Sequence, residues 1–130
     1  MTRSKKESPA LTPLELEIMQ VLWQAGPSNV QSVQERLGGG LAYTTVQTML
    51  NVLHRKGKVK RTLNGRAFEY QAVLSKERAS NHAVGDLIDR MFGGSAEDLV
   101  MSLMKTDQIK PEQIVELSRK LAKAEKERGR

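Results

Sequence analysis

The sequence predicts a mainly α fold with one small β-hairpin. Apolar residues recur at helical spacing in six segments, while residues 58–73 alternate around an Asn-Gly pair. A length of 130 residues suits one domain or two small lobes. The chain has no cysteine, which excludes disulfides and thiolate metal sites, and no apolar run approaches the ~18 residues that cross a bilayer. We therefore expect a soluble, cytoplasmic protein.

Two helices are predicted first. The segment TPLE at residues 12–15 places threonine at the N-cap, proline at the first helical position and glutamate three residues after the cap, which is a capping box. Gly26 and Pro27 end this helix. The segment SNVQ at residues 28–31 repeats the pattern with serine as the cap, and it begins a short helix that ends at the glycines of residues 38–40.

A third helix is predicted from about Thr44 to Lys56, with two different faces. On a helical wheel, four apolar residues share one arc of about 100° and are expected to face the core: Val46, Met49, Leu50 and Leu53. The opposite arc is polar and almost free of acids: Thr44, Thr48, Asn51 and Arg55, flanked by Gln47. Such side chains read base edges, because arginine pairs with guanine, asparagine or glutamine with adenine, and a threonine methyl contacts thymine.

A β-hairpin is predicted after the third helix. Residues 58–63 and 66–73 alternate, and Asn64-Gly65 between them is typical of a two-residue hairpin turn. The predicted register pairs Leu63 with Arg66, Arg61 with Phe68, Lys60 with Glu69, and Val59 with Tyr70. Three helices followed by a hairpin are the element order of a winged helix-turn-helix, which we predict for residues 11–74.

The positive charge lies mostly in this first part. The net charge is +6; residues 1–74 have 10 Lys+Arg and 5 Asp+Glu, hence +5, and residues 75–130 have 11 and 10, hence +1. Six basic residues lie between positions 55 and 66 with no acid among them, where the third helix leads into the wing. We expect these cations to contact DNA phosphates. The predicted DNA-contacting residues are Thr44, Thr45, Gln47, Thr48, Asn51, Arg55, Lys56, Lys60, Arg61 and Arg66.

Residues 75–130 are predicted to form a helical dimerisation lobe. Three helices are expected, over about residues 75–92, from residue 95 and from Pro111, each with one apolar stripe. Short helices of this kind cannot bury their apolar stripes by themselves. In addition, operators that such domains bind usually have two-fold symmetry, which a two-fold symmetric dimer matches. The predicted dimer interface is Leu87, Ile88, Met91, Leu99, Leu103, Ile114, Leu117 and Leu121. The alternative is packing of these stripes against the winged helix of the same chain.

The sequence does not favour an enzyme. The candidate groups are His54, His82, and the pair Asp86 and Asp89. His54 lies at the edge of the apolar arc of the third helix, and His82 with Asp86 has the spacing of a surface helix pair. No nucleophile elbow, nucleotide loop or HExxH motif is present, so no catalytic residue, metal or cofactor is expected.

Two other functions remain open besides a sequence-specific DNA-binding protein. The winged helix could serve as a protein-interaction module, or it could bind DNA without sequence preference. Replacement of Asn51 by alanine distinguishes DNA binding without sequence preference from base reading. A nonspecific protein would bind all DNA equally more weakly, whereas a protein that reads bases would lose about 1–3 kcal/mol of binding free energy on the specific operator alone.

Two stretches resemble the penicillinase-repressor (BlaI/MecI) family of bacterial regulators. They are LTPLELEIMQVLWQAG and LAYTTVQTMLNVLHRKGKVKR, and the likeness extends from residue 11 to about residue 126. Its most specific points are Leu22-Trp23, Thr44 to Thr48, Phe68-Glu69-Tyr70 and Leu99-Val100. The resemblance implies a dimeric winged-helix repressor that binds short inverted repeats upstream of β-lactamase or related operons, and therefore a role in antibiotic resistance.

The resemblance also implies a route of induction. In some members a membrane-bound sensor protease triggers cleavage at an Asn-Phe bond in the penultimate helix, which releases the DNA. The matching position here is Ser102-Leu103. Copper-responsive relatives have a Cys-x-Cys metal site, which this chain lacks because it contains no cysteine.

Overall fold

The computed structural model describes residues 8–129, which contain six helices and one antiparallel hairpin. This is the mainly α fold, with a winged helix-turn-helix, that the sequence predicts. The elements are α1 (Pro13–Ala25), α2 (Val30–Leu37), α3 (Tyr43–Arg55), β1 (Val59–Asn64), β2 (Ala67–Ala72), α4 (Lys76–Phe92), α5 (Ala96–Lys105) and α6 (Pro111–Arg128). None of the described helices combines the length and apolar character that crossing a membrane requires.

Helix α1 begins and ends as predicted. The Thr12 hydroxyl accepts from the Glu15 backbone N–H at 3.2 Å, while the Glu15 carboxylate accepts from the Thr12 N–H at 2.9 Å, which closes the capping box. Gly26 ends the helix with φ 80°, a left-handed conformation that favours glycine. The buried face of α1 packs into a core shared with α2, α3 and the hairpin. That core contains Ile18, Met19, Leu22, Val33, Val46, Leu50, Leu53, Val59 and Tyr70.

The predicted start of α2 is wrong by one residue. Asn29, not Ser28, is the N-cap, and its side chain accepts from the Ser32 backbone N–H at 2.8 Å. Ser28 instead forms an antiparallel bridge with Tyr70, through backbone hydrogen bonds of 3.0 and 2.8 Å. Because the Ser28 carbonyl accepts from the Tyr70 N–H in this bridge, the first hydrogen bond of the helix is accepted by the Asn29 carbonyl, and the cap lies one residue further along.

The predicted hairpin register is also wrong. The observed pairs are Val59 with Ala72, Lys60 with Gln71, Arg61 with Tyr70, Thr62 with Glu69, Leu63 with Phe68, and Asn64 with Ala67. The turn is Gly65-Arg66, with φ of +68° at Gly65 and a negative φ at Asn64. A turn centred on Asn64-Gly65 would need positive φ at both residues, whereas a turn with glycine first needs it only there. Since each partner shifts by two residues, every side chain keeps its predicted face.

Helix α3 begins at Tyr43 with Ala42 as its N-cap and no side-chain cap, slightly before the predicted start. The chain divides into two compact units, one up to Val84 and one from Gly85 onward, so the division falls inside α4. The predicted boundary after residue 74 lies just before α4, which begins at Lys76. The functions assigned to residues 11–74 and 75–130 stay predictions, and residue 130 lies outside the described part.

Candidate nucleic-acid interface

Helix α3 presents one face to the core and the other to solvent, as its periodicity predicts. Val46, Leu50 and Leu53 are fully buried, and Met49 packs beside them. The exposed predicted residues of this helix are Thr44, Thr45, Gln47, Thr48 and Arg55. Their side chains carry hydroxyl, amide and guanidinium groups on one open helical surface, which is the chemistry that reads base edges in a major groove.

The wing adds positive charge beside this helix. Lys60 lies on the outer face of β1 and Arg66 in the turn, and both are exposed. Arg61 lies on the inner face, where its guanidinium carbon stands 4.3 Å from the centre of the Phe68 ring, a cation–π contact. Lys60 and Arg66 are therefore the exposed cations of the wing, while Arg61 is held against the wing itself.

Asn51 is half-buried and joins α3 to the wing. Its side-chain oxygen accepts from the Arg61 guanidinium at 3.0 Å and from the Tyr70 hydroxyl at 3.1 Å. Tyr70 is buried and forms an edge-on pair with Phe68, with ring centres 6.5 Å apart. Of the predicted DNA-contacting residues, Asn51 and Arg61 are thus engaged with each other.

A cleft of about 220 Å³ lies between α3, the start of α2 and the hairpin. Tyr43 and Gln47 line it from the helix, and Arg66 and Phe68 line it from the wing. Tyr43 is 46% exposed and lies one turn before Gln47, so it belongs to the same stripe of α3. The sequence interpretation missed Tyr43; the spacing of four residues from Gln47 was the available signal.

The basic run at residues 55–66 is not uniformly exposed. Lys58 is only 4% exposed, and its ammonium donates to the Ala10 carbonyl. Burial lowers the pKa of Lys58 below its usual range, although the nearby Glu15 opposes this shift. Lys56 donates to the Glu15 carboxylate at 2.8 Å. With Arg61, three of the six clustered cations are therefore engaged inside the winged helix, and Lys56 is a predicted DNA contact that already has a protein partner.

Glu15 balances the charge of this cluster. It is 1% exposed, and burial alone would raise the pKa of its carboxyl group. The hydrogen bonds from Lys56 and from the Thr12 backbone, together with the charges of Lys56 and Lys58, hold that pKa below its usual range. The carboxylate is thus ionised at neutral pH and ties α1 to the C-terminal end of α3.

The groups considered for catalysis are not brought together. Asp86 pairs with Arg90 on the same helix at 3.2 Å, rather than with His82. Within residues 8–129, no three His, Asp or Glu side chains cluster closely enough to hold a metal ion. His54 is half-buried on α3.

The predicted interface residues of the second unit carry an apolar surface. None of residues 85–129 is buried. Leu87, Met91, Leu117 and Leu121 are exposed, and the other predicted members are half-buried. Further exposed apolar side chains that the sequence interpretation did not include are Val100, Met101 and Val115.

Comparisons with known proteins show which sequences this chain resembles. A family model described as penicillinase repressor matches residues 11–123. The penicillinase repressor of Bacillus licheniformis is 28% identical over 114 residues, which cover 86% of this chain and 89% of that protein. The methicillin resistance regulatory protein MecI of Staphylococcus aureus strain N315 is 19% identical over 109 residues, which cover 82% of this chain and 89% of that protein.

Solved structures give a weaker similarity. A MarR family protein from Bacillus stearothermophilus is 21% identical with a TM-score of 0.47, and the match covers 92% of this chain and 76% of that one. The transcriptional regulator Tm0710 from Thermotoga maritima is 22% identical with a TM-score of 0.48, covering 92% of this chain and 78% of that one.

Proposed function

Since this chain belongs to the penicillinase repressor family and is a DNA-binding transcriptional repressor, we propose that it binds an inverted-repeat operator as a homodimer. The family and the relatives above are transcriptional regulators and not enzymes. The regulated genes in this proposal are a β-lactamase-type or related operon, as the names of the relatives suggest.

The observation that supports operator binding best is the solvent face of α3 beside the wing. In the proposal, this face enters the major groove, where Thr44, Gln47, Thr48 and Arg55 contact base edges. Lys60 and Arg66 on the wing contact phosphates and set the position of α3 along the duplex. Exposure of all these side chains in one winged helix supports this assignment.

Salt-dependent binding tests the wing. The probes are the 30-base-pair duplex that the wild-type protein enriches from a random library, and a scrambled duplex of the same composition. We expect Lys60→Ala or Arg66→Ala to weaken binding to both duplexes and to reduce the salt slope by about one unit each. Gln71→Ala, on the same outer face as Lys60 but uncharged, is the matched control. If the salt slope is unchanged in both Lys60→Ala and Arg66→Ala, contact between the wing and the phosphates is excluded.

Loss of sequence discrimination tests the helix. Replacement of the exposed Arg55 or Gln47 by alanine is expected to weaken the enriched duplex by about 1–3 kcal/mol while changing the scrambled duplex much less. Equal weakening on both duplexes would instead favour DNA binding without sequence preference, which is the alternative reading of a winged helix. No salt-dependent binding to any duplex would favour a protein-interaction module.

The exposed apolar surface of the second unit supports a homodimer. Met91 is 70% exposed and Leu121 is 59% exposed, and no residue from 85 to 129 is buried within one protomer. Apolar surface of this extent is typical of a protein–protein interface, and a second copy of the same helices buries it with two-fold symmetry. Dimerisation also raises operator affinity, because the second half-site contact becomes intramolecular.

The oligomeric state tests this part of the proposal. We expect wild-type protein at micromolar concentration to sediment as a dimer, and Leu121→Asp to shift it toward a monomer. Lys123→Asp places the same carboxylate on a polar position of α6 and serves as the control. A monomeric wild-type protein would contradict the homodimer.

We further propose that a membrane-bound sensor protease releases the repressor from DNA by triggering its cleavage at Ser102-Leu103. Ser102 and Leu103 are half-buried near the end of α5, and the Leu103 carbonyl accepts from the backbone N–H groups of Gln108 and Ile109. Cleavage there requires local unwinding of the last turn of α5. Mass spectrometry of the protein from cells exposed to a β-lactam tests it: fragments ending at Ser102 support cleavage, and intact protein despite derepression contradicts it.

A further inference from the structure

The hydrogen bonds that Asn51 makes within the protein bear on whether its side chain can also pair with a base. An asparagine pairs with adenine in two bonds, in which its oxygen accepts and its amide nitrogen donates. In this protein the oxygen already accepts from Arg61 at 3.0 Å and from Tyr70 at 3.1 Å. A carbonyl oxygen has two lone pairs, so its accepting capacity is filled.

The orientation of the Asn51 amide follows from its partner. A guanidinium group donates and cannot accept, so the atom of Asn51 that faces Arg61 must be the oxygen. Turning the amide over would place two donors against each other. Pairing with adenine through both atoms would therefore break the contacts to Arg61 and Tyr70.

Those contacts connect α3 to both strands of the wing. Arg61 is on β1 and Tyr70 is on β2, directly opposite each other in the ladder. Tyr70 is 2% exposed, and its backbone also pairs with Ser28 just before α2. Arg61 is held over the Phe68 ring at 4.3 Å. Asn51 thus provides a polar link between α3 and both strands of the hairpin, in addition to their shared apolar core.

We propose that Asn51 is a positioning residue that sets the angle between the wing and α3, rather than a residue that reads a base. This inference rests on the proposed function, because the angle matters only if both elements meet one duplex. With the angle set, Lys60 and Arg66 reach phosphates while α3 occupies the groove. Without the contacts of Asn51, Lys60 and Arg66 are no longer aligned with the phosphates. The affinity for DNA then falls by the same factor on every sequence.

The buried Tyr70 hydroxyl provides the test, because it is unable to reach a base. The affinities of Asn51→Ala, Tyr70→Phe and the double variant are measured on the enriched duplex and the scrambled duplex. We expect each single variant to weaken both duplexes by about two- to tenfold, with their affinity ratio unchanged. The double variant is expected to match Asn51→Ala alone, since the hydrogen bond from Tyr70 is already absent there.

Control measurements separate positioning from unfolding. Unfolding in urea shows whether each variant is folded under the binding conditions. If Asn51→Ala is not folded, the more conservative variant Tyr70→Phe provides the test. Gln71→Ala, on the outer face of β2, is expected to leave both affinities unchanged. A loss confined to the enriched duplex in Asn51→Ala, or additive losses in the double variant, would overturn the positioning role.

The proposed function and the positioning role fail in different ways. If the wild-type protein enriches no duplex and binds DNA without salt dependence, operator binding fails and the positioning role fails with it. If the wild-type protein binds its enriched duplex but Asn51→Ala binds both duplexes as tightly as wild type, only the positioning role is overturned.

Discussion

Replacement of Glu15 by glutamine removes one negative charge from the buried cluster beneath α3. The carboxylate is 1% exposed and accepts from the Thr12 N–H at 2.9 Å and from the Lys56 ammonium at 2.8 Å. Glutamine keeps an oxygen for Thr12 but presents an amide donor to Lys56. We expect Glu15→Gln to lower the free energy of unfolding, because the charged hydrogen bond is lost and Lys58 loses a nearby counter-charge.

The size of the loss follows from the exposure of the two partners. A hydrogen bond to a charged group contributes about 1.5–3 kcal/mol, and breaking a fully buried ion pair costs about 3–5 kcal/mol. The Lys56 side chain is 36% exposed, so its ammonium regains water when Glu15 is replaced. The smaller range of about 1.5–3 kcal/mol at neutral pH is therefore expected.

The pH dependence has a defined sign. The pKa of Glu15 in the folded protein lies below its ordinary value of 4.5, so the ionised carboxylate stabilises the fold. This stabilisation is fully present above the pKa of the unfolded chain, and it is lost as the pH falls through the folded-state pKa. The difference in unfolding free energy between wild type and Glu15→Gln is therefore expected to shrink in acid.

Urea unfolding followed by the fluorescence of Trp23, the single tryptophan, measures both quantities at a fixed chain concentration. The measurements are made at neutral pH and at about pH 3. Glu17→Gln, an exposed position on the same helix, is the matched control and is expected to change stability by less than about 0.5 kcal/mol. An equal difference at both pH values, or none at neutral pH, would refute the assigned role of Glu15.

Three further substitutions test the core and the wing. Trp23→Phe removes the 2.9 Å hydrogen bond to the Leu74 carbonyl and is expected to cost about 1 kcal/mol in urea unfolding followed by circular dichroism; no loss would mean that this bond does not contribute. Gly65→Ala forces φ of +68° on alanine and is expected to lower stability by about 1–2 kcal/mol, whereas Gly40→Ala, with a negative φ and open space around it, is not. Leu50→Ala at a fully buried position is expected to cost about 2–5 kcal/mol, and a loss below 1 kcal/mol would contradict its place in the core.

Local signals explain the parts of the fold that the sequence predicts well. The capping box of Thr12 and Glu15 spans four residues, and the two faces of α3 follow from one helical period. Such patterns act between neighbours in the chain, so they need no tertiary information. The element order and the candidate DNA-contacting face were predictable for this reason.

A contact between distant segments explains why the predicted cap of α2 is wrong. Ser28 is drawn into a bridge with Tyr70, more than 40 positions away, so the cap of α2 moves to Asn29. The hairpin register differs for a local reason: a turn on Gly65-Arg66 needs positive φ only at the glycine, whereas a turn on Asn64-Gly65 needs it at both residues.

The sequence by itself determined that a basic winged helix is present and which face of α3 is polar. Only the tertiary structure decided which cations of the basic run are available. Lys56 and Lys58 turn inward toward Glu15 and Ala10, which lie more than 40 positions earlier, and Arg61 is held by Asn51. The physical reason is that charge is a property of composition, whereas burial and pairing depend on which distant segments the core brings together.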